Sequence, residues 1–219
     1  MIKLAFLLAS ILIVSACVSS ATGTLIMGIK DNGAPPRAEH VPGVGNISYL
    51  DLTISSIQVH YSSSGIGSIR NETEIEANES NETEVVLKTA GWKTVLNESK
   101  TFDLLDFSSN NVALFGNTTL DIGHYQQIRL YIDSANITVD GNWYPIRIPS
   151  KVLKIVGGFN IKPNKTTVLI LDFDIEKSIK KQGGTYTLKP TIKITQFEAD
   201  NSTKEEIVSR TGQYFSEVT

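Results

Sequence analysis

Only one cysteine, Cys17, occurs in 219 residues, so the chain cannot close an internal disulfide, and its fold rests on the core alone. Histidine is nearly as scarce. His40, His60 and His124 are separated by 20 and 64 residues, and no His-Glu-x-x-His, Gly-x-Ser-x-Gly or Cys pair accompanies them. These absences remove the usual signatures of zinc and nucleophilic hydrolases, and the histidines read as ordinary strand or loop residues. A glycosidase built on two carboxylates needs no local motif, so an exported carbohydrate-active enzyme stays open as one alternative. A basic excess is also missing. The formal net charge is -3 and the pI near 5.7, which gives no electrostatic footprint for nucleic acid. The mature chain shows no sustained 3.6-residue apolar period that would support a helical domain.

Long apolar runs are absent too. The longest, Leu4 to Val14, has eleven residues interrupted only by Ser10, whereas a bilayer-spanning helix needs about 20. Preceded by Met1-Ile2-Lys3, it reads as a secretory signal over residues 1–16. The run ends in Val14-Ser15-Ala16-Cys17, which resembles the lipobox of prokaryotic lipoproteins. In such proteins the cysteine becomes the lipid-bearing first residue of the mature chain. One acyl chain binds membranes only marginally, at about 0.8 kcal/mol per buried CH₂, but two chains anchor stably. Cys17 is therefore expected to hold the protein on the outer face of the cytoplasmic membrane, at the cell surface.

What the chain has in excess is the Asn-x-Ser/Thr sequon. Asn46, Asn71, Asn78, Asn81, Asn97, Asn117, Asn136, Asn164 and Asn201 each begin one. Chance at this composition would give about two or three on the same motif definition. N-linked sugars on these side chains would place them on the surface of an exported glycoprotein. A lipobox together with dense sequons fits an archaeal cell envelope.

After a polar tether at 17–23, strand patterns dominate residues 24–196. Thr24 to Lys30 is a first strand. Tyr49 to Tyr61 alternates with period two but changes phase, since Leu50, Leu52 and Ile54 share one parity and Ile57, Val59 and Tyr61 the other. An extra residue near Ser55-Ser56 restores the register, so a β-bulge is expected there. Residues 62–84 break the pattern with six glutamates and three sequons, and read as a polar, sugar-bearing insertion in preference to a polar hairpin extending from the sheet. Leu120-Asp-Ile-Gly-His-Tyr125 has the spacing of a tyrosine corner, in which the Tyr125 hydroxyl bonds to upstream backbone. Asp140-Gly141 between two β patterns predicts a type I′ hairpin. Asp174 to Lys181 alone has helical character, with Asp174 as cap and Gly183-Gly184 as the stop. The expected fold is all-β, an antiparallel Greek-key-like sandwich with one short helix, followed by a C-terminal tail at 197–219.

Three acidic residues and one aromatic stand out as candidate sites. Alternation puts Asp172 and Asp174 on the same face of one strand. With Asp133 at another strand end they form a hard-oxygen set suited to Ca²⁺, while capping and lysine pairing explain the same residues without a metal. Across the hairpin, Ile137 and Val139 share their face with Tyr144, Ile146 and Ile148. Trp143 is thereby assigned to the opposite face, beside Thr138 and Arg147. An outward tryptophan suits stacking on sugar or contact with a protein.

The segments TFDLLDF, LDIGHYQQIRLYIDSANITVDG, YPIRIPSKVLKIVGGFNI, TTVLILDFDIEKSI and YTLKPTIKI follow one another between Trp92 and Ile194. In that order they resemble the family called domain of unknown function 4382, found in archaeal and bacterial lipoproteins. GTLIMGIKD and the Tyr49 to Tyr61 strand resemble the opening of that family. The resemblance implies an exported β-domain and brings no catalytic residue. The leading expectation is a non-enzymatic binding or structural module that contacts glycan, surface-layer protein or solute. A second is a self-assembling subunit in which the first strand or the tail completes a neighbour's sheet edge.

Overall fold

The computed structural model describes residues 22–32, 39–62, 89–107, 110–200, 207 and 214–218. They form an all-β sandwich-like fold with one short helix. In chain order the strands are β1 (Thr22–Asp31), β2 (Glu39–Val41), β3 (Gly45–Ser62), β4 (Gly91–Leu96), β5 (Lys100–Asp103), β6 (Asn111–Asp121) and β7 (Gly123–Val139). They continue as β8 (Asn142–Arg147), β9 (Val152–Ile161), β10 (Lys165–Phe173), β11 (Ile179–Gln182), β12 (Thr185–Leu188), β13 (Ile192–Asp200) and β14 (Tyr214–Glu217). Helix α1 (Ile175–Ser178) precedes β11.

The smaller sheet has the order β13-β10-β1-β6-β14. The central strands β1 and β10 run parallel, and both are apolar on both faces. Leu25, Met27 and Ile29 of β1, with Leu169, Leu171 and Phe173 of β10, enter the main core. Ile26, Val168 and Ile170 point the other way, into a second cluster with Val112, Leu114, Ala199 and Ile207. Continuous apolar runs of this kind mark strands covered on both sides.

The larger sheet is organised around β3 and β7, which pair along nearly their full lengths. Each is too long and curved to keep one partner. β3 is flanked in turn by β2, β5 and β4, and β7 by β9 and then β8. Its core-facing residues, among them Leu50, Leu52, Ile57, Val59, Ile128, Leu130 and Ile137, pack against the smaller sheet. The phase change in β3 is a register break. Thr53 pairs with Ser134, Ile54 with Ile132 and Ser56 with Tyr131, leaving Ser55 and Asp133 as extra residues on opposing strands. The Ser55 hydroxyl donates to Asp133 Oδ1 at 2.8 Å, which closes the bulge with its own side chains.

The Asp140-Gly141 turn has φ of 49° and 79°, the two positive values of a type I′ hairpin. Tyr125 is fully buried, and its hydroxyl donates to the Asp121 carbonyl at 3.0 Å. Burial, with Asp121 nearby, pushes that hydroxyl well above the usual phenol range.

Three boundaries differ from the sequence reading. The strand β1 begins at Thr22, inside the expected tether, because Thr22 and Gly23 pair with Asp121 and Leu120. Helical character ends at Ser178 instead of Lys181. Residues Ile179 to Gln182 pair with Thr185 to Leu188, and Gly183-Gly184 forms the hairpin turn between them. Four helical residues bury little, whereas the β11–β12 ladder seats Ile179, Tyr186 and Leu188 in the core. Of the expected tail at 197–219, the described residues 197–200, 207 and 214–218 are part of the fold. β13 continues to Asp200, β14 pairs in parallel with β6, and Ile207 is 1% exposed. The first strand and the tail's two strand segments, β13 to Asp200 and β14, thus lie within their own sheet; both regions are named above as segments to donate to a neighbour. Nearly all of the 62–84 insertion lies outside the described residues; its first residue, Ser62, ends β3.

Candidate functional site

Type I′ geometry fixes which way each residue of β8 points. Thr138 pairs with Trp143, and Thr138 also pairs with Tyr49 on the other side. Residues directly opposite in a ladder project from the same face. Tyr49, Thr138 and Trp143 therefore form one row across three strands, with the two aromatics about 10 Å apart at the usual strand spacing. Trp143 is 61% exposed and Tyr49 49% exposed. Along β8, Trp143, Pro145 and Arg147 are all exposed while Tyr144 and Ile146 turn inward. The outward placement of Trp143 expected from the sequence is what the structure has.

Nearer the bulge, the same face carries a polar ladder. Ser134 donates to Thr53 Oγ1 at 3.0 Å, and Thr53 and Thr101 hydroxyls meet at 2.9 Å. Beyond the bulge lies a second group that the sequence reading missed. Arg129 stacks 3.7 Å over the Trp92 ring, and His60 meets that ring edge-on at 4.8 Å. Gln58 accepts from the Tyr131 hydroxyl at 3.1 Å. Alternation with the buried Ile57, Val59 and Tyr61 puts Gln58 and His60 on the opposite face, a signal that was present in the sequence. What it could not supply was the pairing of β3 with β4 and β7, which gathers residues far apart in sequence.

The three aspartates do not come together. Asp174 caps α1, accepting from the Lys177 backbone N–H at 2.9 Å and from its ammonium at 2.5 Å. Asp172 is buried in the smaller sheet with the Lys30 ammonium at 3.8 Å. Burial raises the Asp172 carboxyl, with Lys30 and Lys193 opposing. Asp133 sits in the bulge of the other sheet, bonded to Ser55. The Ca²⁺ set of Asp133, Asp172 and Asp174 is therefore corrected, since Asp133 and Asp172 stand in different sheets and Asp174 is taken up as the helix cap. Among the described residues no group of three or more His, Cys, Asp or Glu is arranged to hold a metal ion.

Asp174 instead borders an acidic cavity of about 360 Å³ with Asp31, Glu39 and Glu176. Burial, then Asp31, Glu176 and Asp174 in turn, push the Glu39 carboxyl up to about 7. Lys177 is the basic residue at this cavity. The folded state holds the Glu39 proton more tightly than the unfolded chain, whose value is near 4.5. Stability is then lost as pH rises from about 4.5 to about 7. Asp51 and Asp103, both raised by burial, act in the same sense, while Asp174, lowered by Lys177, acts only at more acid pH. The melting temperature is expected to be higher at pH 5 than at pH 7.5. Glu39→Gln should remove most of that difference, as thermal melts at the two values would read.

Of the sequons, Asn46, Asn97, Asn117 and Asn164 are exposed and Asn136 is half-buried. Asn71, Asn78, Asn81 and Asn201, like Cys17, lie outside the described residues. No helix among the described residues is long and apolar enough to cross a membrane.

No curated protein and no solved structure matches this chain. The family model described as domain of unknown function (DUF4382) matches residues 22–190, a span from the first residue of β1 through β12. That span holds the tyrosine corner, the hairpin of Trp143 and the acidic helix cap, and the chain belongs to the DUF4382 family.

Proposed function

We propose that the protein is an exported, lipid-anchored and N-glycosylated module of the cell envelope that binds its ligand without transforming it. Carbohydrate is the ligand class this reading favours. The observation that carries it is the exposed row of Tyr49, Thr138 and Trp143 on a rigid sheet face. Aromatic rings held outward suit the apolar faces of sugars, and ladder hydrogen bonds fix the spacing in advance. The signal sequence, the Cys17 lipobox and the excess of sequons support the location.

Oligosaccharide binding by the mature protein, measured by titration calorimetry against a panel of neutral and acidic sugars, tests the reading. Trp143→Ala is expected to weaken binding about tenfold, the equivalent of about 1.4 kcal/mol. The melting temperature should move by only about 2 °C, because the exposed ring contributes little to the core. A large drop in melting temperature with Trp143→Ala, or no saccharide binding at all, would refute the assignment of this face.

A further inference from the structure

The outward row on β8 does not end at Trp143. Pro145 and Arg147 follow on the same face, covering about 13 Å of strand at the usual rise per residue. Arg147 pairs with Thr187 of β12, and Thr187 pairs with Lys180 of β11. The short threonine thus separates two cations on one row, about 10 Å apart across two strand spacings. Together they open onto a cavity of about 630 Å³, flanked by Lys181 and Lys189 and walled on the apolar side by Pro42, Val44 and Pro149. That volume falls in the range of small-ligand pockets.

The charge in this groove is one-sided. Among the described residues, Arg147, Lys180, Lys181 and Lys189 line it, and no carboxylate does. All four are exposed, and among the described residues none forms an ion pair. Asp174, the acid that acts electrostatically with Lys180, is already held by Lys177. In a chain of net charge -3, four cations gathered without a counter-ion among the described residues repel one another, and an anion in the groove relieves the repulsion. Apolar walls beside the charges lower the local dielectric and strengthen that attraction.

We infer that this groove binds the acidic groups of a carboxylated polysaccharide whose sugar rings stack on the Trp143 side. The inference rests on the carbohydrate reading of the Trp143 face and names the class of sugar. Pro145 supplies a flat apolar step between the aromatic row and Arg147. The guanidinium can then grip a carboxylate with two parallel N–H bonds, while the lysines act as point charges further along.

The test uses the mature chain from Cys17 onward in unlipidated form, so that vesicle binding reports the groove and not an anchor, with five probes: polygalacturonate, its methyl ester, inorganic phosphate, phosphatidylglycerol vesicles and duplex DNA. Polygalacturonate should bind, with affinity falling at least tenfold on methyl esterification and again when salt is raised from 0.05 to about 0.5 M. The triple change Arg147→Gln, Lys180→Gln and Lys189→Gln should lose at least tenfold for polygalacturonate, with an unchanged melting temperature showing that the fold is intact. Single Lys180→Arg should retain binding. Equal binding of the ester, or full binding by the triple variant with Trp143→Ala still weakening it, would overturn the acidic assignment and leave the carbohydrate reading standing. Tighter binding of phosphate, vesicles or DNA than of polygalacturonate would also overturn it. Binding of neither the acid nor the ester would overturn this inference, and the carbohydrate reading falls with it only where the whole panel of neutral and acidic sugars also fails to bind.

Discussion

Replacing Tyr125 by alanine is expected to destabilise the fold by about 4 kcal/mol, the cost of truncating a large buried aromatic. Its ring stacks on Phe159 with centroids 5.1 Å apart and meets Tyr61 edge-on at 5.4 Å. Its hydroxyl fastens the end of β6 to the start of β7 through the Asp121 carbonyl. Between them Gly123 takes φ of 142°, and a Cβ there would lie 2.6 Å from the Tyr61 ring. The corner therefore joins a bent backbone to three packed rings, and truncation leaves a cavity that the rigid strands fill poorly. Tyr125→Phe keeps the rings and loses only the hydroxyl, which is worth about 1 kcal/mol. Urea unfolding of both variants separates the two contributions. Near-equal losses would mean that the hydrogen bond, and not ring packing, holds the corner.

The second large effect is expected from the C-terminal segment. Ile207 is buried in the cluster on the outer side of the smaller sheet, with Ile26, Val112, Leu114, Val168, Ile170 and Ala199. Ile207→Ala should cost about 3 kcal/mol, within the range for buried isoleucine truncations. For a chain of this size that lowers the melting temperature by about 10 °C. Ending the chain at Asp200 removes Ile207 and β14 together. It bares the outer face of β1 and β10 and the edge of β6, so aggregation is the expected result. Light scattering and thermal melts of the truncated protein read this directly. A truncated chain that stays monomeric and melts like the full-length protein would show that the segment contributes nothing to the sheet.

The two sites differ in how far they could be read from the chain. The tyrosine corner depends on residues 120–125 alone, so its spacing was sufficient. Likewise Asp140-Gly141 sets its own backbone, and from that turn the outward direction of Trp143 follows by counting residues. The bulge at Ser55 was visible as a change of parity within one strand. None of this local information reached Ile207, whose partners lie on β1, β6, β10 and β13. A polar tail with one buried isoleucine resembles any polar tail until the sheet it covers exists.

The sequence by itself determined the β class, the hairpin, the corner and the face on which Trp143 stands. These depend on alternation and turn chemistry acting over a few residues. Only the tertiary structure decided that residues 179–182 form a strand, since the ladder with β12 outweighs a weak helical preference over so few residues. It also separated Asp133 from Asp172 by assigning them to different sheets, and it gathered Arg147, Lys180, Lys181 and Lys189 around one groove. Strand order and sheet curvature are set by burial of the whole core, a sum over pairs distant in sequence. Any function that depends on such pairs is therefore fixed by the packing and not by the local pattern.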